Sequence, residues 1–382
     1  MKSLKASSLL MSRGGSREVE KLSISDLSYS PYLTIIDKLK ALINSLFSAS
    51  EQGAFYIPRP VVNGAQALFQ DSAGTVPVAA DGDPVGLMID QSKGLQLGAE
   101  TVTTNSAVMD GSSGFTAVTG DNLVIGKNYK ITYRLNQSSG TTQMEVGSQN
   151  LPAKGGAQSG IFTGIITATN TRQVRFYSSS AVGTVSEVSV RELAGNHASQ
   201  STSAARPTYN DFAIGGDGVD DSMVSADFGN PAGVTMICAI KIAAGQSTFA
   251  VLFGLQDSTE SRDNMIARVA ADGSIDIIFT LSNGSKILGN IGNLGTEYII
   301  FTLSFNNGVA KAYVNGVSVF SETGVSGALG GESNTLLLFS DINGTRQSEV
   351  DIKGFALASY HLDDEKRTAT ESYFASLAGV TL

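Results

Sequence analysis

Three aspartates within one short stretch, Asp217, Asp220 and Asp221, form the clearest group of potential ligands in the sequence. Calcium is bound in proteins by about six to eight oxygen atoms, many of them from carboxylates. The three side chains can therefore seed a calcium site, and calcium is the one cofactor that the sequence suggests. The alternative is that they are solvated aspartates of a turn, which need no ion.

Catalytic patterns are not recognisable in this sequence. A hydrolase needs paired carboxylates, a nucleophile with a base, or a metal cage. The two histidines do not fit these patterns, because His361 follows a strand-like run and His197 lies in a Gly-Asn-His-Ala stretch typical of a turn. Gly-x-Ser-x-Gly, His-Glu-x-x-His and phosphate-loop motifs are absent. We therefore expect that the chain is not an enzyme and that it has no catalytic residues.

Composition indicates the kind of scaffold that must position any site. The chain of 382 residues contains 42 glycines, and its charged fraction is 16%, against about 25% in a typical protein. Many turn formers between short apolar runs favour a mainly β protein built from β-sandwich domains. The net charge of -9 argues against direct binding of nucleic acid. Cys238 has no second cysteine to pair with, so the chain cannot form an intramolecular disulfide.

Residues 1–30 are polar, which predicts an extended arm that attaches to partner proteins. A helix is predicted over residues 31–50. The apolar positions of this helix recur at spacings of four and three, which is the pattern of a coiled-coil seam. The seam predicts a homo-oligomer assembled through Ile36, Leu39, Ile43 and Leu46. The alternative is that the helix packs on its own domain.

Alternating strands separated by glycine-rich turns follow from about residue 99 onward. Asn307-Gly308 and Asn315-Gly316 each lie between alternating apolar runs, which is a strong hairpin signal. A last helix is predicted over residues 363–377. The expected organisation is an arm and helix (1–53), a loop-rich segment packed on the C-terminal domain (54–94), a first sandwich (95–193) and a second one (194–382).

The C-terminal domain resembles the laminin-G-like, concanavalin-type jelly rolls. The stretches that carry this resemblance are Gly215 to Met223, the Tyr313-Val314-Asn315-Gly316 turn, and Lys353 to Glu371. Members of this family include sugar binders and proteins that only assemble. The resemblance therefore implies a jelly-roll fold and leaves the ligand open.

Two further stretches resemble structural proteins of tailed-phage virions. Leu68 to Met88, continuing to Gly94, and Gly195 to Gln200 resemble two parts of one continuous segment in such proteins. Here they are about a hundred residues apart, so residues 95–193 look like an insertion. This middle domain resembles carbohydrate-binding modules, which makes Tyr133, Phe176 and Tyr177 candidate glycan-stacking residues. Tyr133 and Phe176 fit a core role equally well, and the chain has no tryptophan.

These resemblances imply a virion surface protein of the tail-fibre or spike kind. Its N-terminus would attach to other virion proteins, its oligomer would be a trimer, and its sandwiches would contact host surface glycans. The alternative is a head decoration or collar protein without a ligand, and a polysaccharide depolymerase ranks third. No apolar run approaches the ~20 residues of a membrane span, and residues 1–10 lack the apolar core of a signal peptide. We therefore expect synthesis in the host cytoplasm, no membrane insertion, and a location on the virion.

Overall fold

The computed structural model describes residues 35–47, 51–95, 97–117, 123–171, 174–246, 249–257, 262–324, 327–331 and 333–382. The predicted arm over residues 1–30 lies outside this part of the chain. Strands make up 49% of the structure and helices 9%, which confirms the predicted mainly β class with antiparallel sheets. Within the described residues, neither helix is long and apolar enough to cross a membrane.

Helix α1 and five short strands are formed by the described residues between 35 and 94. The helix is α1 (Ile35–Phe47), and the strands are β1 (Gly53–Tyr56), β2 (Val61–Val62), β3 (Ala65–Gln66), β4 (Leu68–Phe69) and β5 (Leu87–Met88). The middle region contains β6 (Leu97–Glu100), β7 (Ala107–Asp110), β8 (Gly114–Ala117), β9 (Asn128–Val146), β10 (Gln149–Asn150), β11 (Lys154–Gly155), β12 (Gln158–Thr167) and β13 (Arg175–Leu193).

The described residues of the C-terminal region form fourteen strands and helix α2, with a short 3-10 helix (Ser203–Ala205) before the second strand. Its first strands are β14 (Ala198–Ser199), β15 (Thr208–Asn210), β16 (Ala213–Gly215), β17 (Met223–Asp227), β18 (Gly233–Ile242), β19 (Val251–Asp257) and β20 (Arg262–Val269). The others are β21 (Ile275–Thr280), β22 (Lys286–Asn290), β23 (Ile299–Asn306), β24 (Val309–Val314), β25 (Val317–Glu322), β26 (Thr335–Leu338) and β27 (Val350–Ala358), followed by α2 (Asp364–Ala378).

Two antiparallel sheets form the C-terminal sandwich. The front sheet has the order β15-β16-β27-β18-β23-β24-β25, with β1 also paired to β27. The back sheet has the order β22-β21-β20-β19-β26-β17-β14-β5-β4. Segment 54–94 therefore contributes hydrogen-bonded strands to both sheets. The inner faces share one core in which the Phe253 ring lies 5.6 Å from Phe301 and 5.5 Å from Phe355.

The local signals of the C-terminal domain correspond to the observed elements. Asn307 and Asn315 have φ of 47° and 49°, as two-residue Asn-Gly hairpins require. Asp363 caps α2, because its carboxylate accepts a hydrogen bond from the Lys366 N–H at 2.8 Å. The helix ends where Gly379 adopts the left-handed conformation, with φ of 72°.

Helix α1 packs on its own chain. Leu39, Ile43 and Leu46 are 4%, 5% and 1% exposed, in a cluster that also includes Phe374 of α2 and residues on the outer side of the front sheet. The side chain of Ile36 lies outside the described part. The described seam residues thus cover the front sheet of their own chain. Whether copies of the chain associate stays a prediction.

The middle domain is built on two strands of nineteen residues each, β9 and β13, which pair along most of their length. The first half of β9 also pairs with β12 and its second half with β10 and β11. Residues from both halves, including Tyr133 and Met144, share one core, so the sheet folds over itself to enclose it. Gly140 lies between the two halves of β9 with φ of 77°. We call this the insert sheet.

The two stretches that were predicted to form one segment, residues 68–94 and 195–200, meet around Asp90, which is fully buried. Its carboxylate accepts the N–H groups of Phe55 and Ser92, both at 2.8 Å, and that of Asn196 at 2.7 Å. The Ser92 hydroxyl donates to it at 2.7 Å. Burial raises the pKa of Asp90, and these hydrogen bonds oppose that rise. Asp90 thus joins chain segments that are 106 positions apart in the sequence.

Other contacts at this junction lie where the chain enters and leaves residues 95–193. His197 Nδ1 accepts the N–H of Asp90 at 3.1 Å, and burial lowers the pKa of the imidazole to about 4, so the ring is neutral. Gly94 and Ala194 line one cleft of about 540 Å³ beside α1. The insert also packs on segment 54–94, where the Ile165 N–H donates to the carbonyl of Ala73 at 2.6 Å. The insertion of residues 95–193 stays a prediction, which this proximity supports.

Candidate functional site

The candidate site lies on the solvent side of the insert sheet, where β8, β13 and β9 run side by side. Directly opposed residues of antiparallel strands point to the same side, and Tyr177 lies between Phe115 and Gln143. The next outward row places Arg175 opposite Glu145. Alternation directs the intervening Phe176 into the core. We call the outward group the aromatic face: Phe115, Gln143, Glu145, Arg175 and Tyr177.

The aromatic face combines two exposed rings with an ion pair. Phe115 is 55% exposed and Tyr177 37%, and their ring centroids lie 5.1 Å apart with the planes tilted by 59°. The Arg175 guanidinium carbon lies 4.1 Å from the centre of the Phe115 ring. Arg175 Nη2 donates to Glu145 Oε1 at 2.6 Å. Because the ion pair and the cation–π contact hold Arg175 in place, the face is ordered before any ligand arrives.

Neutral polar groups surround the rings in the part of this surface that the structure describes. Gln143 Nε2 donates to the carbonyl of Leu151 at 3.3 Å, which orients its amide. Asn150 is exposed in the row of Glu145, and Thr141 and Ser179 are half-buried in the row beyond Tyr177. Aromatic rings offer an apolar surface with polar groups beside it, and amides and hydroxyls both donate and accept hydrogen bonds. The arrangement can therefore hold a ligand with an apolar face and a hydroxylated edge.

The predicted glycan-stacking residues lie in two different places. Tyr177 is on the aromatic face, whereas Tyr133 and Phe176 are 2% and 1% exposed in the insert core, with ring centroids 5.2 Å apart. Burial raises the pKa of Tyr133 to about 12. We therefore leave Tyr133 and Phe176 out of the site. Phe115 was not singled out from the sequence, because its four-residue strand is too short for alternation to show which way the ring points.

The predicted calcium ligands do come together in space. Oxygen atoms of Asp217, Asp220 and Asp221 lie within 4.8 Å of one another. Asp221 accepts the Asp217 N–H at 3.0 Å, and Asp217 accepts the Val219 N–H at 2.8 Å, as in a tight turn. This geometry fits both the calcium site and the turn without an ion, so calcium binding stays a prediction.

Burial, and then the charges of Asp217 and Asp220, raise the pKa of Asp221 to about 6. Because the pKa is raised in the folded state, the stabilising contribution of Asp221 is fully present below about pH 4, where the group is protonated in both states, and is lost as the pH rises through about 6. We expect Asp221→Asn to increase the free energy of unfolding by about 1–2 kcal/mol at pH 7, and to change it little at pH 4. Thermal unfolding in a chelator at both pH values measures this, with the exposed Asp220→Asn as control.

Calcium would reverse the sign of this effect, because it favours the ionised carboxylates. If the three aspartates bind it, millimolar calcium should raise the Tm of the natural chain at pH 7 and leave that of the Asp221→Asn variant unchanged. Equal Tm values with and without calcium would contradict the calcium prediction.

No protein-family model matches this sequence, and no curated protein matches it. Solved structures with partial similarity include the Botulinum neurotoxin serotype D ligand-binding domain in complex with N-acetylneuraminic acid, at 13% identity over 42% of this chain and 41% of that chain, with a TM-score of 0.33. Another is Trypanosoma rangeli sialidase in complex with sialic acid, at 11% identity over 49% of this chain and 31% of that one, with a TM-score of 0.38. The chain thus spans less than half of each structure.

These similarities correct one prediction. The expectation that the chain is not an enzyme does not stand, because the similar structures include a sialidase, which is an enzyme. The lack of a recognisable catalytic motif in the sequence is therefore no ground for excluding an activity. At these identities and TM-scores the likeness identifies no functional residue, so the chain is similar to these β-sandwich proteins only in part of its fold.

Proposed function

We propose that this chain is a carbohydrate-binding surface protein of a tailed-phage virion, which presents the aromatic face of its middle domain to glycans on the host cell. The observation that carries the carbohydrate part is the exposed Phe115 and Tyr177 pair, fixed by the Arg175–Glu145 ion pair on a regular sheet. Adjacent exposed rings that are rimmed by polar groups form the kind of apolar patch that marks an interaction site.

The virion part of the proposal rests on the split segment that resembles phage structural proteins. Asp90, Asn196 and His197 belong to this segment, and the hydrogen bonds that Asp90 makes with Asn196 and His197 hold its two parts together. The C-terminal sandwich and α1 would then form the carrier that connects the N-terminal arm to the glycan-binding domain. Association with other virion proteins and the trimeric state belong to the same proposal.

Replacing Tyr177 with alanine should weaken glycan binding at least tenfold. Loss of a stacked ring costs about 1.5 kcal/mol or more when the contact and its buried area are counted together, and 1.4 kcal/mol corresponds to a factor of ten. The measurement is binding of the full chain to an array of host-cell glycans, followed by titration of those that bind. Phe115→Ala should show the same loss.

The matched control is Phe249→Ala in the C-terminal domain. Phe249 is 44% exposed and lies 4.5 Å from the Arg268 guanidinium, so it repeats the Phe115–Arg175 contact outside the aromatic face. This variant should bind glycans as the natural chain does. If all variants bind alike, the aromatic face is not the site. If no glycan binds at all, a decoration or collar role without a ligand is favoured.

A further inference from the structure

We infer that the aromatic face selects neutral sugars, such as hexoses, over sugars that carry a carboxylate. This inference rests on the proposed glycan binding and adds the chemical class of the ligand. Recognition of an acidic sugar requires a cation with free donors, ideally a guanidinium that can make two parallel hydrogen bonds to the carboxylate. The charges on and around the aromatic face decide whether such a cation is present.

The cation of the aromatic face, Arg175, is paired with Glu145 through one nitrogen, while its Nε is buried without a hydrogen-bond partner. Its Nη2 donates to Glu145 at 2.6 Å, and its guanidinium carbon lies 4.1 Å from the centre of the Phe115 ring. The side chains of Arg175 and Glu145 are 24% and 11% exposed, so the pair is withdrawn from solvent compared with the rings beside it. A carboxylate ligand would have to compete with Glu145 for the same guanidinium and would be repelled by its charge.

Negative charge also lies on the neighbouring half of the insert sheet, in the residues that the structure describes. Asp110 lies opposite Val182, on the other side of the bend at Gly140 from Tyr177, where it accepts hydrogen bonds from the Ser112 N–H and hydroxyl. These bonds lower its pKa, so it is ionised at neutral pH. The charges of Arg175 and Glu145 cancel at the face, and the whole chain carries -9. The nearby carboxylates and the overall charge therefore disfavour anionic sugars.

The remaining groups suit a neutral sugar. Tyr177 and Phe115 provide apolar surface for the C–H face of a hexose ring, and Gln143 and Asn150 provide amides for its hydroxyl groups. Uncharged contacts of this kind depend little on salt, whereas binding of a charged sugar at a surface weakens as ionic strength rises. The salt dependence of sugar binding therefore provides a second test of the same inference.

The test titrates the full chain with matched pairs of oligosaccharides that differ by one acidic residue, for example lactose and sialyllactose. Glucose-, galactose- and mannose-terminated oligosaccharides and their uronic acid counterparts extend the panel. We expect the neutral member of a bound pair to bind at least fivefold tighter than the acidic one. The affinity of the neutral member should change less than twofold between 50 and 500 mM salt, on the order of the change that screening leaves for uncharged contacts. The Tyr177→Ala variant should abolish the difference in affinity between the neutral and the acidic member.

A second variant tests the role of the ion pair. Glu145→Gln keeps the size of the side chain but removes the competing carboxylate, so it should improve binding of the acidic sugars at least threefold. Glu187→Gln is the control, because Glu187 pairs with Arg134 at 2.8 Å elsewhere in the same domain. Tighter binding of the acidic members that depends on Tyr177 would overturn the inference and leave glycan binding intact. If no oligosaccharide of the panel shows binding that the Tyr177→Ala variant weakens, the proposed function itself is overturned.

Discussion

Replacement of Asp90 with alanine is expected to lower the free energy of unfolding by about 3–5 kcal/mol. The change removes the acceptor of three backbone N–H groups, those of Phe55, Ser92 and Asn196, at a position that is 0% exposed. Each buried donor left without a partner costs about 1–3 kcal/mol, and relaxation or entry of water recovers part of the sum. Chemical denaturation followed by circular dichroism measures the loss.

The matched control for this prediction is Asp83→Ala. Asp83 also accepts two backbone N–H groups, from Ala79 at 2.8 Å and Ala80 at 3.0 Å, but it is only half-buried and both hydrogen bonds are exposed to solvent. Water can replace the lost acceptor there, so the cost should be about 1 kcal/mol or less. Equal losses for the two variants would show that burial at Asp90 contributes nothing, which contradicts our account of the junction.

The second large effect is expected for Gly140→Ala in the insert sheet. A Cβ atom at this position would lie 2.3 Å from the carbonyl oxygen of Ser180, and the backbone has φ of 77°. Ser180 lies in a short irregular stretch between two paired runs of β9 and β13, so moving it away would disturb the pairing on either side, and we expect a loss of about 3 kcal/mol or more. Hydrogen exchange of the full chain should show faster exchange in residues 95–193 and unchanged protection in the C-terminal sandwich.

The Gly156→Ala variant separates the cost of the steric clash from the cost of the left-handed backbone conformation. Gly156 has φ of 71°, close to that of Gly140, but no atom lies within 4 Å of the point that an added methyl group would occupy. Its substitution should cost only the left-handed penalty of about 1–2 kcal/mol. Loss of protection throughout the chain in the Gly140→Ala variant would argue against residues 95–193 as a separate domain.

The sequence was most informative where a local rule determines the structure. The Asn307 and Asn315 turns, the cap at Asp363 and the alternation of Tyr129 to Leu135 depend on neighbours in the chain, and they predicted hairpins, a helix start and an inward face. The predicted helix over residues 31–50 is observed from Ile35 to Phe47 within the described part. Periodicity located that helix, but it could not determine which surface its apolar side would cover.

The features that sequence reasoning missed depend on distant partners. Strand β9 continues through Ser138, Ser139 and Gly140, which resemble a turn in sequence, because β13 pairs with it on both sides of the bend. Phe115 lies beside Tyr177 only through the register of β8 on β13. The role of Asp90 depends on Asn196, which is 106 positions away. None of these pairings leaves a periodic signal in the sequence.

The closeness of Gly94 and Ala194 at one cleft has a consequence for how such a protein can change over time. The insert core and the core between the front and back sheets share no residue, and a smaller cluster joins Ile165 and Leu193 of the insert to Phe69, Leu87 and Ile89. On the proposed organisation, a gene segment encoding a different domain could replace residues 95–193 if the ends of that domain met at the same spacing. The carrier would keep its fold and its attachment, while a single recombination event would give the particle a binding domain for a different host receptor.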